Sequence, residues 1–263
     1  MQISRKRIGL IFVTPLFILF SHYLSVFPHE YAHSFAAWLL GHKNSPFDLN
    51  YGGTTLSNIL LLMNIDQDVD NKMIYALGYP SHVGIIALAG IVMNLLLLIF
   101  SFQMLKTYVV KQRPYLYYFL FFFNLMNLGS LFAYMPIRIF ATQTNMLDIV
   151  DVEQAFGLSP WWVYSICGYL MGFLIWQFFT QTLVTAYLTL KIQNLFLQVG
   201  LMSICVVIFF AYFGIAGFFS HGAVPYFLSA TSLLAVPGVI LLLWPNRYWV
   251  RHQLTTLAKN NLT

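Results

Sequence analysis

Charge is scarce in this chain. Lys, Arg, Asp and Glu together supply 8% of its 263 residues, against roughly 25% in an average soluble domain, while apolar residues supply 59%. A water-soluble globule of this length has no interior large enough to hide that much apolar surface, so the solvent for most of the chain is lipid. Cysteine is almost absent. Cys167 and Cys205 both lie in apolar runs, without metal-ligand spacing or a disulfide framework, and read as small buried residues. Polar basic stripes are missing too. The net charge of +5 sits at the ends of apolar segments, which excludes nucleic-acid binding. Internal repeats and low-complexity linkers are absent, and only two glutamates occur, Glu30 and Glu153.

Six apolar runs are long enough to span a bilayer, at about 8–40, 73–105, 115–135, 161–190, 195–219 and 226–244. The first follows Arg5, Lys6 and Arg7 as a signal peptide would, but no small-x-small cleavage site comes after it and the apolar pattern continues, so it reads as a retained span. As one helix it would be about 50 Å long, more than the ~30 Å hydrocarbon core, so it must tilt, project or break, with Pro28 the obvious kink. Aromatics mark several span ends: Tyr115, Tyr117 and Tyr118; Trp161 and Trp162; Trp244, Tyr248 and Trp249. In the polar stretch 41–72, residues 47–51 alternate like a strand and run into Gly52 and Gly53. The expected fold is an all-α membrane protein of about six transmembrane helices, with a short β-like membrane-proximal segment after the first. Residues 1–263 form one polytopic domain, with a core at 8–160 and three additional helices at 161–263.

The charges orient these spans. With the N-terminus in the cytoplasm, Arg5, Lys6, Arg7, Lys106, Lys111, Arg113, Lys191, Arg247, Arg251 and Lys259 all fall inside. Only Lys43, Lys72 and Arg138 fall outside. Every acidic residue except Glu30 lies on the outer side. This positive-inside bias places both termini in the cytoplasm of a multi-pass integral membrane protein, expected in a bacterial inner membrane.

Inside the first run stands His29-Glu30-Tyr31-Ala32-His33. Residues i and i+4 share a helix face, so His29 and His33 can offer two imidazoles to one metal ion, with Glu30 beside them to take a proton from a water the metal activates. Ionisable groups are costly in a membrane, and three at ligand spacing need a reason. A third ligand is required, and the outer loop offers Asp148, Asp151 and Glu153 on the same side of the membrane.

With these residues in view, the chain resembles the site-2 protease family of intramembrane zinc metalloproteases. Three elements match in order over roughly residues 20 to 160: the HExxH at His29–His33, Gly90 to Asn94 as a Gly-xxx-Asn element on the next helix, and Leu147-Asp148 as the start of the segment carrying the third ligand. The resemblance implies that His29, His33 and Asp148 bind Zn2+, with Asp151 the substitute for Asp148. It implies that Glu30 is the general base, and that Asn94 faces the site to polarise the substrate carbonyl or to order a segment. It also makes 47–51 the edge on which an unwound substrate adds as a strand. The implied function is a zinc-dependent intramembrane endopeptidase acting on membrane-protein or membrane-anchored peptide substrates. Two other readings use the same residues: a transporter or metal-handling channel, which needs ligands but no base, and a catalytically inactive membrane scaffold.

Plainer roles are expected elsewhere. His22, seven residues before His29, reads as a packed or interfacial side chain, with a relay role as the alternative. His42 and His82 read as solvated loop residues, with spare metal ligands as the alternative, and His221 as a turn residue. Gly90 beside Ala89 reads as a packing residue, and Asn124 and Asn127 as cavity-lining or interhelical bonding groups. Arg138 can pair with the outer carboxylates. Asp66, Asp68 and Asp70 lack the Gly and closing Glu of a calcium loop and read as a solvated acidic loop.

Overall fold

The computed structural model describes residues 5–142 and 147–260. It is all-α, with no strand among the described residues. The helices are α1 (Arg5–Leu39), α2 (Leu56–Leu61), α3 (Asn71–Ala76), α4 (Pro80–Lys106), α5 (Tyr108–Lys111), α6 (Pro114–Phe132), α7 (Asp148–Phe156), α8 (Pro160–Gln177), α9 (Leu183–Thr189), α10 (Leu195–Val206), α11 (Ala223–Leu242) and α12 (Tyr248–Asn260). Wider π-helical turns at Ala133–Ile137, Phe178–Thr182 and Val207–Phe213 extend α6, join α8 to α9 and extend α10. Among the described residues six helical stretches are long and apolar enough to cross a membrane: Gly9–Leu39, Pro80–Lys106, Pro114–Ile137, Pro160–Thr189, Leu195–Phe219 and Ala223–Leu242. These are the six expected runs.

Local sequence explains where the helices start and stop. Pro80, Pro114 and Pro160 open α4, α6 and α8, where a missing N–H costs nothing and φ is already helical. Gly157 ends α7 with φ 62°, the left-handed conformation that glycine adopts freely. α1 runs unbroken for 35 residues through Pro15 and Pro28. At about 1.5 Å per residue it is roughly 50 Å long, so the excess over the hydrocarbon core is met by tilt or projection and not by a break.

α6 is the central post. It packs against α1, α4 and the turn Val207–Phe213, and 89% of its most apolar stretch is buried. Phe121 and Phe122 are fully buried on it, and Phe132 stacks on Phe209 with centroids 4.6 Å apart. α7 lies along α4, where Ala155 and Phe156 sit against Gly84, and this carries Asp148 toward α1. The backbone N–H of Thr142 donates to the carbonyl of His221 (2.7 Å), so the segment after α6 meets the turn before α11, as alternate crossings require. His221 serves as a turn residue.

The strand expected at 47–51 does not form. One antiparallel bridge joins Asn50 to Asp66, and the pairing stops there. The buried Asn58 explains why. Its Nδ2 donates to the carbonyls of Tyr51 (2.5 Å) and Gly53 (2.8 Å), and its Oδ1 accepts from Asn64 N–H (3.0 Å). The Tyr51 carbonyl, which a ladder would use, is thus already engaged by a side chain.

Candidate metal centre

The helical spacing of the motif does what the sequence promised. His29, Glu30 and His33 are buried on α1, and the Nε2 atoms of the two histidines lie 3.0 Å apart. Asp148, in the first turn of α7, brings Oδ2 to 3.1 Å from His29 Nε2 and 3.4 Å from His33 Nε2. The three ligand atoms lie within 4.8 Å of one another and could hold a metal ion.

Counting protons shows that the three atoms lack a donor unless a cation, a proton or a metal ion, joins them. His33 Nδ1 lies 2.6 Å from the carbonyl of Ile86, which can only accept, so the proton of neutral His33 is on Nδ1. His29 Nδ1 lies 2.5 Å from Asn94 Oδ1. The Asn94 amide cannot be turned around, because its Nδ2 donates to the carbonyl of Ser25 (3.2 Å). The proton of neutral His29 is therefore also on Nδ1. Both Nε2 lone pairs then point at each other and at a carboxylate, three acceptors with no donor between them. Burying unpaired polar groups costs about 1–3 kcal/mol each, so this arrangement calls for a shared cation. Burial alone would raise the Asp148 carboxyl. Positive charge on the imidazoles of His33 and His29 would outweigh it and hold that carboxyl well below the ordinary carboxylate range; with both rings neutral, a bound cation takes that place.

A divalent transition metal fits this donor set. Ligand bonds of about 2.0–2.2 Å at tetrahedral angles put ligand atoms roughly 3.3 Å apart, close to the three separations observed, and three protein ligands leave a fourth position open. Gly90 makes the room. A Cβ there would fall 2.2 Å from His33 Nε2 and 2.7 Å from His29 Cε1, so this position of α4 admits glycine alone.

The support behind the ligands is polar and buried. Asn94 Nδ2 also reaches Ser25 Oγ (3.1 Å) and Asn127 Oδ1 (3.0 Å), and Ser25 Oγ reaches Asn127 Oδ1 (3.2 Å) and Ser130 Oγ (3.3 Å). Of the two roles expected for Asn94, these contacts favour ordering. Its amide is 1% exposed and fully engaged, with no hydrogen left for a substrate carbonyl. On the other face of His29 the Tyr134 ring stacks in parallel, with centroids 5.0 Å apart and planes 2° apart. Tyr134 stands on the π-helical turn Ala133–Ile137, a distortion that recurs at functional sites. Sequence reasoning missed Tyr134, and nothing in its neighbourhood along the chain marks it.

Other candidates fall elsewhere. Asp151 lies outside the group of converging ligand atoms. It accepts from Asn71 Nδ2 (2.8 Å), and burial raises its carboxyl to about 6. Glu153 is buried away from the three ligands, beside Phe140, Val150 and Leu158. His22 lies 2.9 Å from the carbonyl of Leu61 and 3.3 Å from the Tyr212 hydroxyl, a packed residue outside the ligand cluster. Asn124 donates to the Leu98 carbonyl and Ser101 Oγ and holds α6 to α4, whereas Asn127 belongs to the network behind His29. Arg138 pairs with no carboxylate among the described residues; its guanidinium lies 5.7 Å from the centre of the Tyr134 ring. Asp66 and Asp70 cap local turns, accepting from the N–H groups of Asp68 and Met73. Comparisons with protein families, curated proteins and solved structures return no match.

Proposed function

We propose that this protein is a zinc-dependent intramembrane endopeptidase, hydrolysing peptide bonds in or near the transmembrane segments of membrane-protein substrates. The observation that carries the reading is the convergence of His29 Nε2, His33 Nε2 and Asp148 Oδ2, with the buried carboxylate of Glu30 next to it, inside a bundle of membrane-spanning helices. Bound there, Zn2+ would supply the Lewis acidity that polarises a scissile carbonyl and lowers the pKa of water. Glu30 takes the proton of the attacking water and passes it to the leaving amine. Asn94, through Nδ1 of His29, keeps Nε2 free as a ligand and fixes the ring, while Asn127 and Ser25 hold Asn94.

A lateral entry from lipid has a candidate. An apolar cavity of about 1010 Å³ lies between α1 and α10, lined by Thr14, Ile18, Leu61, Ile204 and Tyr212 among others. It ends at His22, about two helical turns before His29 on α1. A substrate helix entering laterally would unwind near the site, because helical backbone in lipid is fully paired and unreactive. The positive-inside bias supports cytoplasmic termini and a site nearer the outer face, as in a bacterial inner membrane.

Elemental analysis of purified protein, with cleavage of a pool of transmembrane peptides followed by mass spectrometry, tests this. Wild type is expected to hold about one zinc per chain more than His29→Ala or Asp148→Ala. Glu30→Gln should keep the zinc and lose cleavage by about 10²-fold or more. A Glu30→Gln protein that still moves metal across vesicles would favour a transporter. Folded wild type that takes up no zinc would sink the protease reading.

A further inference from the structure

We propose that His42 and His82 form a second metal site, a two-imidazole clip for a divalent transition-metal ion that closes the neck of the outer segment between α1 and α4. His42 Nε2 and His82 Nδ1 lie 2.8 Å apart, although the residues are 40 positions apart in the chain. The two motif histidines stand at nearly the same separation, 3.0 Å. A tetrahedral or octahedral ion needs the pair to open by only a few tenths of an ångström, with water filling the remaining positions. Imidazole pairs favour Zn2+, Ni2+ and Cu2+.

Both backbones are fixed before any ion arrives. α1 ends in a Schellman turn: Gly41, at φ 79°, donates to the carbonyl of Trp38, and His42 N–H donates to that of Ala37. His82 stands in the first turn of α4, its N–H on the carbonyl of Tyr79. The Tyr79 ring stacks on His82 (5.0 Å, 20°) and leans on His42 (5.9 Å), so neither imidazole swings freely. His42 and His82 are both half-buried, which leaves the pair within reach of an ion from outside. The clip joins the two ends of the segment that carries α2, α3 and the Asn50–Asp66 bridge, and a tie at such a neck removes loop-closure entropy from the open state.

The proposal is independent of the protease reading, and the test separates them. Ni2+ binding is measured by equilibrium dialysis on wild type, His82→Ala, His42→Gln and the His29→Ala/His33→Ala double variant. The expected result is one ion fewer in His82→Ala and His42→Gln than in wild type, and one ion retained in the double variant. In that variant Cu2+ should give an electron paramagnetic resonance spectrum with two coupled nitrogens. Should the double variant misfold, the difference between wild type and His82→Ala still decides. Equal Ni2+ in wild type, His82→Ala and His42→Gln would overturn the clip, and so would copper coupled to fewer than two nitrogens. If wild type binds one ion and His82→Ala none, the clip stands and the inner centre fails.

Discussion

Two glycine contacts, one in each half of the bundle, use the same device for different ends. At Gly90, α4 comes so close to α1 that no side chain fits, and the space holds the imidazoles of His29 and His33. At Gly217 the turn Gly214–Phe219 approaches α11 as closely: a Cβ would fall 2.2 Å from the Pro225 carbonyl. One turn earlier, at Gly214, it would fall 2.1 Å from Ser232 Oγ. The polar atoms separate the two. In the second contact they are spent, since Gly217 N–H donates to Ser229 Oγ (2.8 Å) and Ser232 Oγ donates to the Phe210 carbonyl (2.8 Å). In the first, two lone pairs and a carboxylate face one point with no donor among them. Helices in lipid gain nothing from hydrophobic burial against one another, so close approach and hydrogen bonds hold them together. The C-terminal contact serves that purpose alone. The N-terminal contact leaves acceptors unpaired, an arrangement that a cation offsets.

Breaking each glycine should therefore have different consequences. Gly90→Ala drives a methyl into His33 and is expected to lose about one bound zinc per chain relative to wild type, measured by elemental analysis on protein that still chromatographs as wild type. Removing the support behind the ligand is milder. Asn94→Ala frees the His29 ring and its tautomer, and metal affinity should fall about 10- to 100-fold in a competition titration. Asn124→Ala, one position outside that network, should leave the affinity alone. Gly217→Ala has no route to the metal. It should lower stability by about 1–3 kcal/mol, the usual cost of overpacking, with zinc content unchanged. Loss of zinc in Gly217→Ala would mean that the two halves do not act separately.

Much of this contrast was legible in the sequence, and the rest was absent from it for a physical reason. Six spans follow from apolar runs alone, because lipid forces every spanning segment of this kind to be helical. His29 and His33 converge because the interval of four is a property of the helix itself. Pairings across the chain have no such period. Only the resemblance brought Asn94 to the site, and nothing local says that Tyr134 stacks on the His29 ring or that His42 finds His82. The alternation at 47–51 misled for a related reason. A period of two promises a strand only if the carbonyls find a neighbouring strand, and the side chain of Asn58 takes those of Tyr51 and Gly53 first.

Glu153 sharpens the comparison, because it is buried and incompletely paired without being part of the centre. It is 5% exposed, its Oε1 finds no partner among the described residues, and it borders a cavity of about 340 Å³. Burial raises its carboxyl from 4.5 to about 7. The fold thus favours the protonated form. The stability this group contributes is present in full below about pH 4.5 and is lost as pH rises through about 7. Thermal stability of the wild type should therefore fall from about pH 5 to about pH 8, and Glu153→Gln, neutral throughout, should flatten that slope. Zinc content should not change in the variant, because Glu153 is outside the group of His29, His33 and Asp148. An unpaired acceptor would then mark a metal centre only where several converge on one point. If Glu153→Gln loses its zinc, convergence is the wrong criterion, and the outer carboxylates act as one set with Asp148.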